Sequence, residues 1–217
     1  VRLDPAASAA GRRVRKASVA SGARAPWTCA PYQLAGRPET GTDIAWAESN
    51  AIVFANSVLG ARTARYGDFA DVCAAVTGRV PFASLHVAEN RIPTLELDCS
   101  SIPDRVLDSD AAWAALGFVV GREVGEQVSI LTGITPTVVD EDGLKALGAT
   151  AASNGSVALF HVAGVTPEAV DAGDAWPEAG IPRIQGAPEL VRADRDAVPG
   201  DTAGARRNAG RRRHADL

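Results

Sequence analysis

The run at residues 157–162, Val-Ala-Leu-Phe-His-Val, is apolar at almost every position. A strand with one wet face alternates between apolar and polar residues. One that does not alternate suits the middle of a sheet covered on both faces. Parallel neighbours in such a sheet need crossover helices, so this short run constrains the whole chain. The flanks agree with it. Residues 142–153 carry a helical pattern, and Thr166-Pro167-Glu168 opens another helix with Pro at its first position. Earlier, residues 110–124 read as a helix with Gly117 and Gly121 on one face, a smooth patch that permits close packing. Residues 127–131, 94–97 and 82–87 read as strands, and 68–77 as a helix closed by Gly78. Strands alternating with helices define an α/β architecture, here a mixed layered sheet-and-helix domain.

Residues 43–59 read as a helix capped by Thr42 or Asp43 and ended by Gly60. It is apolar on several faces, yet Glu48, Ser49, Asn50, Asn56 and Ser57 are embedded in it. A helix apolar nearly all round is buried, and buried polar groups need partners. Those five residues therefore satisfy one another or face a ligand. A carboxylate at Glu48 in such a helix requires a counter-group.

Charge divides the chain of 217 residues into three parts. Residues 1–26 hold six basic residues and one acidic, and residues 183–217 hold eight and five. Since the whole carries −4, the body between them carries −12. An acidic body excludes a nucleic-acid-binding domain, which concentrates its basic patch on folded structure. No apolar run approaches the ~20 residues that span a bilayer. Residues 1–25 lack a steady period and read as a loosely ordered or non-native segment. Order is expected from Pro26-Trp27-Thr28-Cys29-Ala30-Pro31-Tyr32, whose prolines and aromatics suit an anchored, extended loop. Residues 26–182 form the domain. Residues 183–217 read as a basic tail, disordered or non-native from 187 onward.

Few residues can carry chemistry. The three cysteines, Cys29, Cys73 and Cys99, are odd in number and form no CxxC pair. They suit a reducing, cytoplasmic compartment and no disulfide framework. Cys29 is either an iron ligand on a stiff loop or a buried thiol; Cys73, in an apolar helix, reads as packing, and so does Cys99. Arg62 and Thr63 follow a glycine turn after Asn56 and Ser57. Such a group can grip a carboxylate or phosphate, or simply cap the helix. His86 and His161 fall on apolar runs and read as core histidines. Lys145, beside Asp140, Glu141 and Asp142, reads first as a solvated ion pair. No GxGxxG or Walker pattern supports nucleotide binding.

Taken in order, these segments resemble the catalytic domain of the aconitase X family. They are Thr28-Cys29-Ala30-Pro31-Tyr32, then Ile44-Ala45-Trp46-Ala47-Glu48-Ser49, then the block from Phe54 to Thr63. Thr77-Gly78-Arg79-Val80-Pro81, Glu89-Asn90-Arg91, residues 144–149 and residues 160–169 continue the series. The resemblance implies an iron–sulfur cluster and removal of water from a small hydroxy acid, such as a phosphorylated mevalonate or 3-hydroxyproline. It implies that Cys29 is a metal ligand. Asn56, Ser57, Arg62 and Thr63, with Glu48, would bind substrate, and Lys145 would act in catalysis. A smaller swivelling subunit or domain is the implied partner. The family's other cluster cysteines are expected in segments this chain lacks, so the chain alone is expected to be inactive. The alternative is a non-catalytic remnant or packing module without a cluster.

Overall fold

The computed structural model describes residues 5–20, 28–67, 69–177 and 179–186. The expectations for residues 1–4, for 21–27 with Pro26 and Trp27 of the anchored loop, for Asp68, and for the tail from 187 lie outside them. Within the N-terminal segment the outcome differs from the expectation of loose order. Residues Pro5–Ala20 form a helix, α1. Its alanines favour helix wherever nothing else competes.

Four short parallel strands make the sheet: β1 (Leu95–Asp98), β2 (Ser129–Thr132), β3 (Phe160–Val162) and β4 (Arg183–Gln185), in the order β3-β2-β1-β4. Leu95 pairs with Ser129, and Ser129 with Phe160. The α/β expectation holds. β4 is a correction to the basic tail: residues 183–185 join the sheet edge beside β1. Arg183 reaches Asp98 there at 2.8 Å.

The crossovers are α4 (Asp110–Val124) and α5 (Glu141–Gly155). Each starts on a side-chain cap. Ser109 accepts from the Ala112 amide, and Asp140 accepts from the Gly143 amide, satisfying donors that a first turn leaves free. The two helices touch through glycine. A Cβ on Gly117 would stand 2.2 Å from the Leu147 carbonyl oxygen, and one on Gly155 only 1.8 Å from that of Gly121. The main core lies between these helices and the sheet. Trp113, Leu116, Val120, Leu147, Leu97, Leu131 and Phe160 fill it.

Three elements differ from expectation for identifiable reasons. The helix expected over 43–59 is α2, Ser49–Ser57, with Glu48 as its cap. Residues 42–44 are extended instead because they pair with the chain after the glycine turn. Arg62 donates its amide to the Thr42 carbonyl at 2.8 Å, and the Ile44 amide donates to the Arg62 carbonyl at 2.9 Å. Glu48 is therefore exposed, not buried. The strand expected over 82–87 is a 3-10 turn at Ser84–His86 followed by another at Ala88–Arg91. Only Leu85 and His86 of the stretch turn fully inward, while Phe82 is 86% exposed. Helix α3, Ala70–Thr77, buries none of its residues, so Cys73 is exposed where packing was expected. Phe69, Val72 and Val76 stand out from it into solvent. The last helix, α6 (Pro167–Ala172), has Pro167 in its first turn as expected. Among the described residues no helix is long and apolar enough to cross a membrane.

Candidate functional site

Helix α2 separates two groups of side chains. On one face, Ala51 and Phe54 receive the loop that carries Cys29. Tyr32 stacks on Phe54 with ring centroids 4.0 Å apart, a contact worth about 1 kcal/mol beyond its buried area. Ala30 and Trp46 pack around this pair. Thr28 Oγ1 accepts from the Ala30 amide, a local turn across Cys29, and Arg37 Nε donates to the Tyr32 carbonyl at 2.5 Å, so the loop is tied at its Tyr32 end. Arg37 also grips Glu141 at the start of α5 through two bonds of 2.8 and 2.7 Å. That grip holds the Glu141 carboxyl below its usual range. Cys29 itself is exposed.

Lys145 belongs to this side. Its ammonium donates to Asp142 at 2.6 Å, one turn back on α5. The bond to Asp142 raises its pKa, so it stays charged across the neutral range. Burial pushes the Tyr32 phenol up, and the field of Lys145 offsets part of that while Glu48 adds to it. Cys29's loop, Glu48 and Lys145 thus share one side of the molecule.

The other face of α2 turns inward. Asn56 is fully committed. Its amide nitrogen donates to the Thr63 and Ala158 carbonyls at 3.0 and 2.9 Å. Its oxygen accepts from the Thr63 amide and from Arg91, both at 3.0 Å. Ser57 Oγ accepts the Phe160 amide, joining α2 to β3. These two residues hold the turn against the sheet. Cys29 is exposed, whereas Asn56 and Ser57 are buried with their side chains bonded to other groups.

Arg62 and Thr63 are different. Arg62 Nη1 makes one long bond of 3.5 Å to the His86 carbonyl, and its buried Nε has no partner; Thr63 Oγ1 is buried without one as well. A buried polar group without a partner costs roughly 1–3 kcal/mol, more when charged.

Sequence reading missed two arrangements. Arg91, 1% exposed, binds Glu168 through Nε and Nη2 at 2.6 and 3.0 Å. It also donates to Asn56 and to the carbonyls of Leu85 and Ala61. His86 is wedged between Asp43, 2.7 Å from Nδ1, and the Tyr66 hydroxyl at Nε2. An isolated arginine or histidine in a sequence gives no sign of such company, although burial of His86 was legible. His161 is also a core histidine as expected, with Nε2 donating to the Arg91 carbonyl at 2.9 Å.

Among the described residues no three His, Cys, Asp or Glu side chains converge as metal ligands. Cys99 is buried, and burial with Asp98 nearby pushes its thiol up to about 12, which leaves it protonated and unsuited to bind metal. The donor set therefore does not fit a complete iron–sulfur cluster, which needs at least three protein ligands. Cys29 can supply one.

A four-stranded parallel sheet with crossover helices, a buried helix beside it and a cysteine-bearing loop packed on that helix defines a class, that of α/β proteins. Comparison with known proteins makes it particular. The family model described as the first domain of aconitase X matches residues 1–89, and that of the second domain matches residues 86–192. The chain belongs to the aconitase X family. It is 41% identical over 185 residues to the cis-3-hydroxy-L-proline dehydratase of Hypocrea jecorina, covering 85% of this chain and 30% of that protein. It is 44% identical over 145 residues to the phosphomevalonate dehydratase large subunit of Methanothermobacter thermautotrophicus, covering 67% and 35%. Its fold matches the crystal structure of Thermococcus kodakaraensis aconitase X in the holo-form with a TM-score of 0.75 and 33% identity, covering 89% of this chain and 48% of the other. The chain thus spans about a third of these curated relatives.

Proposed function

We propose that this chain contributes the acid-binding part of a hydro-lyase that removes water from a small hydroxy acid, in the cytoplasm. A phosphorylated mevalonate and a 3-hydroxyproline are the two substrate types suggested by its relatives. The observation that carries this reading is Arg62, with a buried, unpartnered Nε–H at the end of the glycine turn. An arginine fork binds a carboxylate or phosphate through two parallel bonds. Thr63, next to it, is fully buried, with a hydroxyl that has no partner among the described residues. Asn56 and Ser57 support the turn from behind rather than reaching the acid. Lys145, permanently charged, adds a positive field on the side of Cys29.

An iron–sulfur cluster is part of the family's chemistry, and Cys29 is the residue here proposed as one ligand. Bound iron would supply a Lewis acid for a leaving hydroxyl. The other ligands, and a smaller subunit or domain, would come from outside the described residues. The second reading, a packing module without a cluster, draws support from the scattered thiols.

Calorimetric titration of the purified chain with phosphomevalonate and with cis-3-hydroxy-L-proline tests the proposal. One of the two should bind, and Arg62→Gln should weaken that binding at least tenfold, about 1.4 kcal/mol. If neither acid binds, or Arg62→Gln binds as well as the parent, the acid-binding role is wrong.

A further inference from the structure

We propose that Asp43, His86 and Tyr66 form a clamp that positions the Arg62 guanidinium for its acid, an inference that rests on the reading of Arg62 above. Arg62 lies on an extended segment, and among the described residues its half-buried guanidinium has a single hydrogen bond, to the His86 carbonyl at 3.5 Å. Three observations identify what supports it. The segment is zipped to residues 42–44, with Asp43 and Arg62 opposite one another in an isolated bridge. The Asp43 carboxylate accepts from His86 Nδ1 at 2.7 Å, tying the same bridge to the turn at Ser84–His86. The backbone carbonyl of His86 then accepts from Arg62 Nη1. A ring is closed: Arg62 backbone to Asp43 backbone, Asp43 side chain to His86 ring, His86 carbonyl to the Arg62 side chain.

The tautomer follows from the partners. With Asp43 accepting from Nδ1–H, Nε2 is left to face the Tyr66 hydroxyl, which donates to it in that tautomer. Tyr66 lies four residues beyond Arg62 and stacks beside the His86 ring with centroids 5.8 Å apart. The imidazole, 2% exposed, is thus held at both nitrogens by groups from either side of Arg62. Burial and the charge of Asp43 both raise the Tyr66 phenol, which keeps it a donor at neutral pH. Asp43 is the half-exposed member and opens onto a shallow cleft that Asp71 and Arg79 also line. A substrate anchor whose direction is set by neighbours loses affinity when they are loosened, since a displacement of about 1 Å already costs heavily in a positioned site.

Two conservative replacements divide the clamp. An asparagine at position 86 can still donate to Asp43 from near the Nδ1 position, but cannot reach Tyr66. A glutamine reaches toward Tyr66 but not Asp43. Because Asp43 is the member that shares the bridge with Arg62, His86→Gln should loosen the guanidinium more than His86→Asn. Hydrogen exchange at the Arg62 Nε–H, followed by NMR and assigned by its loss in Arg62→Lys, reads this directly. Circular dichroism of each variant checks that the fold is kept. We expect exchange at least tenfold faster in His86→Gln and in Asp43→Asn, nearer the parent rate in His86→Asn, and weaker acid binding in the same order. Unchanged exchange in folded His86→Gln and Asp43→Asn would overturn the clamp. Faster exchange with no acid bound even by the parent would leave the clamp standing and refute the acid-binding role instead.

Discussion

Arg91 bonds to Glu168, Asn56, Leu85 and Ala61, and His161 shows what that does to a neighbour. The His161 ring donates to the Arg91 carbonyl and lies 4.0 Å from a Glu168 oxygen. The bond and the carboxylate favour the imidazolium. Burial opposes them and prevails, so the pKa falls below the ordinary 6.5. The folded chain then binds fewer protons at this site than the unfolded chain does once the pH drops below about 6.5. Stability from His161 is complete above that value, declines as pH falls toward the folded pKa, and is level beneath it. Asp98 and Glu141 are held below their usual ranges, so their contribution is lost only in more acid solution. Urea unfolding at pH 7.5 and 5.5 should show a lower midpoint at 5.5. In His161→Gln, which keeps a donor toward Arg91, the drop should be smaller. Equal drops in both proteins would mean that the ring is not kept neutral by burial.

Among the elements, the α4–α5 pair is the most exacting. Each helix presents glycine to the other's backbone, and backbone cannot step aside as a side chain can. Alanine in place of glycine gains about 1 kcal/mol of helix propensity in an exposed helix interior. At Gly117 the gain is outweighed, because the new methyl would meet the Leu147 carbonyl at 2.2 Å. Overpacking of this kind costs about 1–3 kcal/mol, and more where backbone must move. Gly117→Ala should therefore be destabilised by about 2 kcal/mol net in urea unfolding; a neutral or stabilising result would show that the helices can part. This pair was legible in the sequence because Gly117 and Gly121 interrupt an otherwise apolar helix at one-turn spacing. The crossover strands were legible for a similar local reason, an apolar run between turn residues. The elements misread were those set by distant pairing. Residues 43–48 look helical, but Thr42 and Ile44 bond to Arg62, eighteen or more positions away. Residues 82–87 read as a strand from their apolar run after Pro81, but among the described residues no neighbouring strand receives them. The glycine turn from Asn56 to Thr63 was legible as a motif. Its support was not, since nothing local couples Asp43 to His86 or Asn56 to Arg91.

At the scale of the whole molecule the question is how much of a dehydratase these residues hold. The family's first and second domain models meet at residues 86–89, where the 3-10 turn carries Arg91 back into the first part. Arg91 contacts Asn56 and Ala61 on one side of that junction and Glu168 on the other. The two matched parts are therefore cross-tied at a buried cation, and the glycine turn is braced by both. The metal chemistry is not so provided for. Cys29 and Cys73 are exposed, Cys99 is buried and protonated, and the described residues gather no third ligand around any of them. A single thiolate cannot retain a cluster against chelation or exchange. Anaerobic incubation of the chain with iron and sulfide, followed by desalting, should leave no cluster absorbance, and neither phosphomevalonate nor cis-3-hydroxy-L-proline should lose water. Acid binding at Arg62 should persist in the same preparation, because the Asn56–Arg91–Glu168 bracing that holds its turn involves no metal. A stable cluster with turnover would show instead that ligands assemble from residues beyond those described, and Cys29→Ser should then abolish it.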